Sequence, residues 1–148
     1  AIFNRFKQNF DNNFPTEEKI LASPESKLKE SGLSFNKRKT IIEIARHVQK
    51  GELENRQDFL MMNDSQIIEK LTKIKGIGEW TAQMLMIFNL GKLDVFPAGD
   101  FALRKNYSLF KSIASPLTMR ELSKISEEWK PFRSIAAWYL WRYRNILN

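Results

Sequence analysis

The chain has no cysteine among its 148 residues. This excludes a disulfide framework, a thiolate zinc site and an iron–sulfur cluster held by thiolates, and it agrees with a reducing cytoplasm. There is a single histidine, His47, beside Arg46 on a predicted helix and without a partner motif, so a solvated surface position is expected rather than a catalytic or metal role. No apolar run approaches the roughly 20 residues that cross a bilayer. Nor does a long helix set a Lys/Arg face against a Trp/Leu face, so no membrane partner is expected. Sustained period-two alternation, internal repeats and low-complexity linkers are also missing, which leaves little room for strands or for a repeat architecture. The opening Ala1-Ile2-Phe3-Asn4-Arg5 lacks an initiator Met and the apolar core of a secretory signal; it reads like mid-helix, and an N-terminally truncated fragment is expected.

What the chain does carry is positive charge. Against 17 Asp and Glu stand 24 Lys and Arg, a net +7, which favours a polyanionic partner, nucleic acid first. Hydrophobic residues at 43% and charged residues at 28% are globular proportions, and the length suits one domain, residues 1–148.

Helix signals dominate. Ser23-Pro24-Glu25 places an N-cap, a first-turn proline and an early carboxylate before a stop at Gly32. Ser34 caps a longer helix to about Lys50, with Ile41, Ile42, Ala45 and Val48 on one face and Gly51 as its left-handed end. Asn63 or Asp64 opens a helix through Ile67, Ile68 and Leu71, and another runs from about Glu79 to Leu90 before Gly91. The second is apolar on nearly every side, so it is expected to be a buried central helix. Asp100 can cap a helix from Phe101 to Phe110, Thr118 and Glu121 form a capping box, and a last helix follows Pro131. The fold class expected is all-α.

Between two of these helices lies Lys73-Ile74-Lys75-Gly76-Ile77-Gly78, where two glycines flank an aliphatic residue at a helix entry. Glycines let the backbone turn sharply and approach a ligand, and the free N–H groups of the helix start form an anion site. Ile77 is expected to pin the turn to the core while Lys73 and Lys75 add charge beside a phosphate. An ordinary corner that uses glycine to reverse the chain is the alternative; the lysines and the overall charge favour DNA contact. Lys37-Arg38-Lys39 reads as a solvated face. Arg104, Lys105, Arg133, Arg142 and Arg144 are phosphate-contact candidates that the sequence does not rank.

The stretch from Leu71 to Ala82 resembles the helix-hairpin-helix signature of the DNA glycosylase superfamily in which a Gly/Pro-rich loop precedes an aspartate. Asp94-Val95-Phe96-Pro97-Ala98-Gly99-Asp100 is similar to that loop and aspartate. Trp129-Lys130-Pro131-Phe132-Arg133-Ser134, followed by Trp141, resembles the C-terminal helix of the 3-methyladenine DNA glycosylase II branch. The resemblance implies a compact multi-helix core that binds double-stranded DNA containing a damaged base as a monomer and releases an alkylated purine with Asp100. It places Trp80 and Trp141 in the base pocket, and Lys73, Lys75, Gly76, Ile77 and Gly78 on a DNA phosphate. It implies no required cofactor, but a Na+ or K+ ion held by the carbonyls of Thr72, Ile74 and Ile77. It puts Trp80 where strand-nicking members carry a lysine, so no lyase step is expected. The family's upstream helix with a Gln/Ser-containing motif is expected to be absent from this chain, and a cytoplasmic, nucleoid-associated, prokaryotic-type setting is expected.

Read without the resemblance, Asp100 is a plain helix cap, and the two roles are compatible: a carboxylate at a helix start is held in one direction beside the positive end of the dipole. Aromatic side chains are the usual receptor for a flipped base, but tryptophans in a small helical protein also fill volume. Core packing is expected for Trp138, the pocket is favoured for Trp141, and the two readings are balanced for Trp80. A non-catalytic DNA-binding module, a glycosylase/lyase for other lesions and a helical protein-interaction domain are the competing readings.

Overall fold

The computed structural model describes residues 1–53 and 55–146, the side chains of 144–146 excepted. Among the described residues every regular element is helical. The chain divides into two compact units, one from Ala1 to Gly78 and one from Glu79 onward.

The first unit holds α1 (Ile2–Gln8), α2 (Glu17–Ala22), α3 (Glu25–Glu30), α4 (Phe35–Gln49), α5 (Arg56–Met61) and α6 (Asp64–Thr72). Ser34 Oγ accepts the Lys37 N–H at 3.4 Å to start α4, and Gly51, at φ +69°, follows its end. Asn63 and Gln66 cap α6 reciprocally. Ser23, expected to cap α3, instead ends α2: its hydroxyl donates back to the Lys19 carbonyl at 2.7 Å, and Pro24 takes the cap position. A serine hydroxyl has that choice of partners, which shifts the boundary by one residue. Phe6, Phe10 and Leu28 form a buried cluster against which Leu33, Ile41 and Ile42 pack.

Three local expectations are corrected here. The Arg38 side chain is only 11% exposed; it pairs with Glu25 at 3.1 Å and donates to the Leu33 carbonyl at 2.8 Å, so the run Lys37-Arg38-Lys39 is not a uniformly solvated face. His47 does have a partner, Glu52, at 2.8 Å, and its side chain is half-buried. In the hairpin it is Ile74, 2% exposed, that anchors the turn, whereas Ile77 is half-buried. Ile77 closes the turn through its N–H on the Ile74 carbonyl at 3.0 Å.

The second unit holds α7 (Glu79–Phe88), α8 (Phe101–Phe110), α9 (Met119–Ser126), a 3-10 turn (Glu127–Trp129) and α10 (Arg133–Ile146). Thr118 and Glu121 form the expected capping box, and the Thr118 hydrogen bonds hold the Glu121 carboxyl below its ordinary value. Helix α10 packs on α8. The core here gathers Phe96, Leu103, Tyr107, Leu122 and Ala137, with Trp129, Leu140 and Trp141 packed against it. Helix α7 is not the buried central helix that its composition suggests. Only Ala82 and Met86 are buried within it, while Trp80 and Phe88 are 51% and 63% exposed. A helix of ten residues turns one narrow i, i+4 stripe fully inward; Met84, Leu85 and Ile87 are half-buried at its sides, and Trp80 and Phe88 face out.

Of the two hairpin glycines the fold itself requires only the first. Gly76 sits at φ +97°, and a Cβ there would stand 2.0 Å from Thr40 Oγ1 on α4; at Gly78 no positive φ applies and a Cβ would meet nothing within 4 Å. The Gly76→Ala variant is therefore expected to lose about 1–3 kcal/mol of stability in urea unfolding. The Gly78→Ala variant is expected to stay within about 0.5 kcal/mol of the parent. Equal losses would contradict this assignment.

Candidate active site

Loop 92–99 delivers Asp100 to the start of α8, and α10 holds the loop in place. Arg133 Nε donates to Asp94 Oδ1 at 2.7 Å and its Nη2 to Oδ2 at 3.0 Å, while Nη1 reaches Glu127 Oε1 at 3.0 Å. Ser134 Oγ accepts the buried Val95 N–H at 2.9 Å and donates towards the Lys92 carbonyl at 2.7 Å, and the Ser134 N–H donates to the Leu93 carbonyl at 2.9 Å. Pro97 is fully buried, and its carbonyl accepts the Asp100 N–H at 2.9 Å. Phe96 packs edge-on against Trp129 at 5.3 Å. Arg133 is thus committed to the loop rather than left for a phosphate. The bidentate Arg133 hydrogen bonds hold the Asp94 carboxyl below its ordinary value of 3.8.

The Asp100 carboxylate is divided between two tasks. Oδ1 accepts the N–H groups of Ala102 at 2.7 Å and Leu103 at 3.2 Å, the N-cap geometry. Oδ2 accepts the indole N–H of Trp80 at 2.8 Å and that of Trp141 at 3.3 Å. One carboxylate therefore brings together the three residues singled out for the reaction and the base pocket. The Trp80 ring stays half exposed, and the Trp141 ring lies 5.7 Å from that of Phe88. Beside Trp80 and Gly99 an open cavity of about 810 Å³ continues to Phe96, Met119 and Arg120.

A model of the HhH-GPD superfamily of base excision DNA repair proteins matches residues 1–131. The chain belongs to that superfamily. DNA-3-methyladenine glycosylase 1 of Schizosaccharomyces pombe is 38% identical over all of this chain and 65% of its own length, so the chain spans just under two thirds of that relative. A solved structure of the 3-methyladenine DNA glycosylase from the same yeast with abasic DNA superposes at a TM-score of 0.91, over 96% of this chain and 69% of that one, at 38% identity. The DNA-3-methyladenine glycosidase of Bacillus halodurans superposes at 0.81 with 32% identity, over 96% of this chain and 65% of that one.

The remaining candidates of this HhH-GPD chain are scattered. Lys73 is exposed and paired with Glu69 at 2.9 Å, and Lys75 is exposed on the turn. Arg104 donates to the Leu117 carbonyl at 3.2 Å and lies over the Phe101 ring, whereas Lys105 is exposed. The Arg144 side chain lies outside the described residues. Trp138 corrects the expectation of core packing: it is 41% exposed, with the Arg142 guanidinium 4.4 Å from its ring. Sequence reasoning missed the clamp of Arg133 and Ser134 on the loop. The signal lay in Trp129-Lys130-Pro131-Phe132-Arg133-Ser134, a helix start rich in donors, but the acceptors on Lys92, Leu93 and Asp94 lie about 40 residues away in sequence.

The clamp has a pH signature. The folded pKa of Asp94 lies below its unfolded value, so the stability that the pair contributes is complete above about pH 4 and is lost as pH falls through the folded value. Asp94→Asn is expected to lower the melting temperature at pH 7 and to flatten the stability loss below pH 4. A variant with the parent's acid limb would show the pair to be inert.

Proposed function

We propose that the chain acts as a monofunctional DNA glycosylase on alkylated purines of the 3-methyladenine type, with double-stranded DNA as its partner and Asp100 as the catalytic carboxylate. The observation that carries this reading is the pair of indole N–H groups on Asp100 Oδ2, because a carboxylate serving only as a helix cap needs no second pair of donors. The names of the relatives support the choice of lesion class.

The chemistry follows from charge. Cleaving an N-glycosidic bond builds positive charge on the sugar, and a carboxylate already fixed in direction stabilises that charge without reorganising. It can also orient or deprotonate the attacking water. Sugar–sugar glycosidases generally need a second carboxyl to protonate the leaving oxygen. A 3-methylated adenine already carries positive charge and leaves without an acid, so a single aspartate suffices. The flipped base is received against the aromatic faces of Trp80 and Trp141. Their edges are fixed by the hydrogen bonds to Asp100, so one network orients both the pocket wall and the catalyst.

At the hairpin, the exposed Gly78 allows a phosphate to approach the backbone, since nothing in the fold itself demands glycine there. A monovalent cation of the kind the family implies would use the carbonyls of Thr72, Ile74 and Ile77. The fit is partial: the Ile74 carbonyl already accepts the Ile77 N–H and offers only its second lone pair. Such an ion would pull the turn's carbonyls together and add positive charge beside the phosphate. The absence of a lyase step rests on Trp80 standing where the lyases carry lysine.

Base release from a duplex with a single alkylated purine tests the reading. The parent is expected to release the base and leave the strand intact, with no adduct trapped by borohydride. Asp100→Asn should bind the duplex comparably and release base at least about a hundredfold more slowly. A parent that binds the duplex but frees no base would establish a binding module, and a borohydride adduct would establish a lyase.

A further inference from the structure

Three lysines of the first unit converge beside the hairpin. Along α4, Asn36, Lys39, Thr40 and Glu43 share a face by their spacing. That face, with Lys37 at its edge, walls an open groove of about 650 Å³ together with Lys75 and Gly76 of the hairpin. The two elements touch closely enough that a Cβ on Gly76 would overlap the Thr40 hydroxyl. The carboxylates of the groove are already neutralised, Glu25 by Arg38 and Glu43 by Arg46. Lys37, Lys39 and Lys75 are exposed and have no carboxylate partner among the described residues; Lys39 Nζ lies over the Phe35 ring, which leaves its charge uncompensated. The charge run at the start of α4 therefore divides: Arg38 turns inward to build the unit, and the lysines on either side of it remain available at the groove.

We infer that this groove is a second backbone-binding subsite for duplex DNA, in which Lys37 and Lys39 neutralise phosphates neighbouring the one gripped at the hairpin. The inference rests on the hairpin being a DNA phosphate site. An open groove lined by separate lysines suits the spread charge of a phosphodiester backbone, since each ammonium acts as a point charge that needs no fixed orientation. The subsite positions DNA without reading its sequence.

The test is equilibrium binding of the whole chain to undamaged duplex across a range of salt. Lys37→Gln/Lys39→Gln is expected to weaken binding about tenfold or more and to make the log–log salt slope shallower by roughly 0.9 for each phosphate that is no longer neutralised. The charge-matched Lys29→Gln/Lys50→Gln, altered elsewhere in the same unit, should leave the slope nearly unchanged. The single Lys39→Gln should give about half the double variant's effect, which keeps the result readable if the double variant loses helicity by circular dichroism. If Lys75→Gln flattens the slope while the Lys37/Lys39 pair behaves like its charge-matched control, the second subsite is overturned and the hairpin reading stands. If neither Lys75→Gln nor the pair changes the slope, the hairpin reading falls and takes this inference with it.

Discussion

The Asp100 carboxylate is the point on which the second unit converges, and its two oxygens show why. Oδ1 is occupied by the first backbone N–H groups of α8, which fixes the direction of the carboxylate and removes its freedom to rotate. Oδ2, so directed, meets two indole N–H groups from α7 and α10, elements far apart in sequence. An N-cap is worth about 1 kcal/mol, and each hydrogen bond to a charged group somewhat more. The carboxylate therefore reports on the packing of three helices at once, and any change in that packing moves the group proposed to act on the sugar.

Such a group is useful only if the backbone that carries it stays still. Loop 92–99 has no secondary structure of its own, and its order comes from α10: the Arg133 fork on Asp94, and the Ser134 hydroxyl bonded to the backbone on both sides of Leu93. Because the same helix carries Trp141, one rigid element sets both the approach to Asp100 and one of its indole partners. The polar start of α10 is thus as much a part of the site as its aromatic end.

Much of this was legible in the residues. Capping signals at Ser34, Asn63, Asp100 and Thr118 mark helix starts because each side chain accepts backbone N–H groups only two or three residues ahead. Short helices such as α2 and α5 leave too few turns for a hydrophobic period to show, although Thr16 and Asn55 cap them. Burial was read less well. Apolar content made α7 look central and made Trp138 look like core, but composition does not say which side of a helix faces its neighbours. Trp80 is the instructive case: a balanced choice between core and pocket resolves into a half-exposed ring whose polar edge is held by Asp100, a long-range bond with no local signature. Arg38 and Arg133 are similar, since partners 13 and 39 residues away leave no trace in a cation's own neighbourhood.

Cap and catalyst can be separated in one substitution. Asp100→Ser keeps a hydroxyl able to accept from the N–H groups of α8 but removes the charge. Single-turnover base release from an alkylated duplex, measured beside the unfolding free energy of the same variant, is the most direct test. The predicted result is a still-folded variant that loses about 2–3 kcal/mol of stability, from the two indole hydrogen bonds to Oδ2, with release slowed at least about a hundredfold. Release at a rate close to the parent's would contradict the account, because the carboxylate would then be a cap and nothing more.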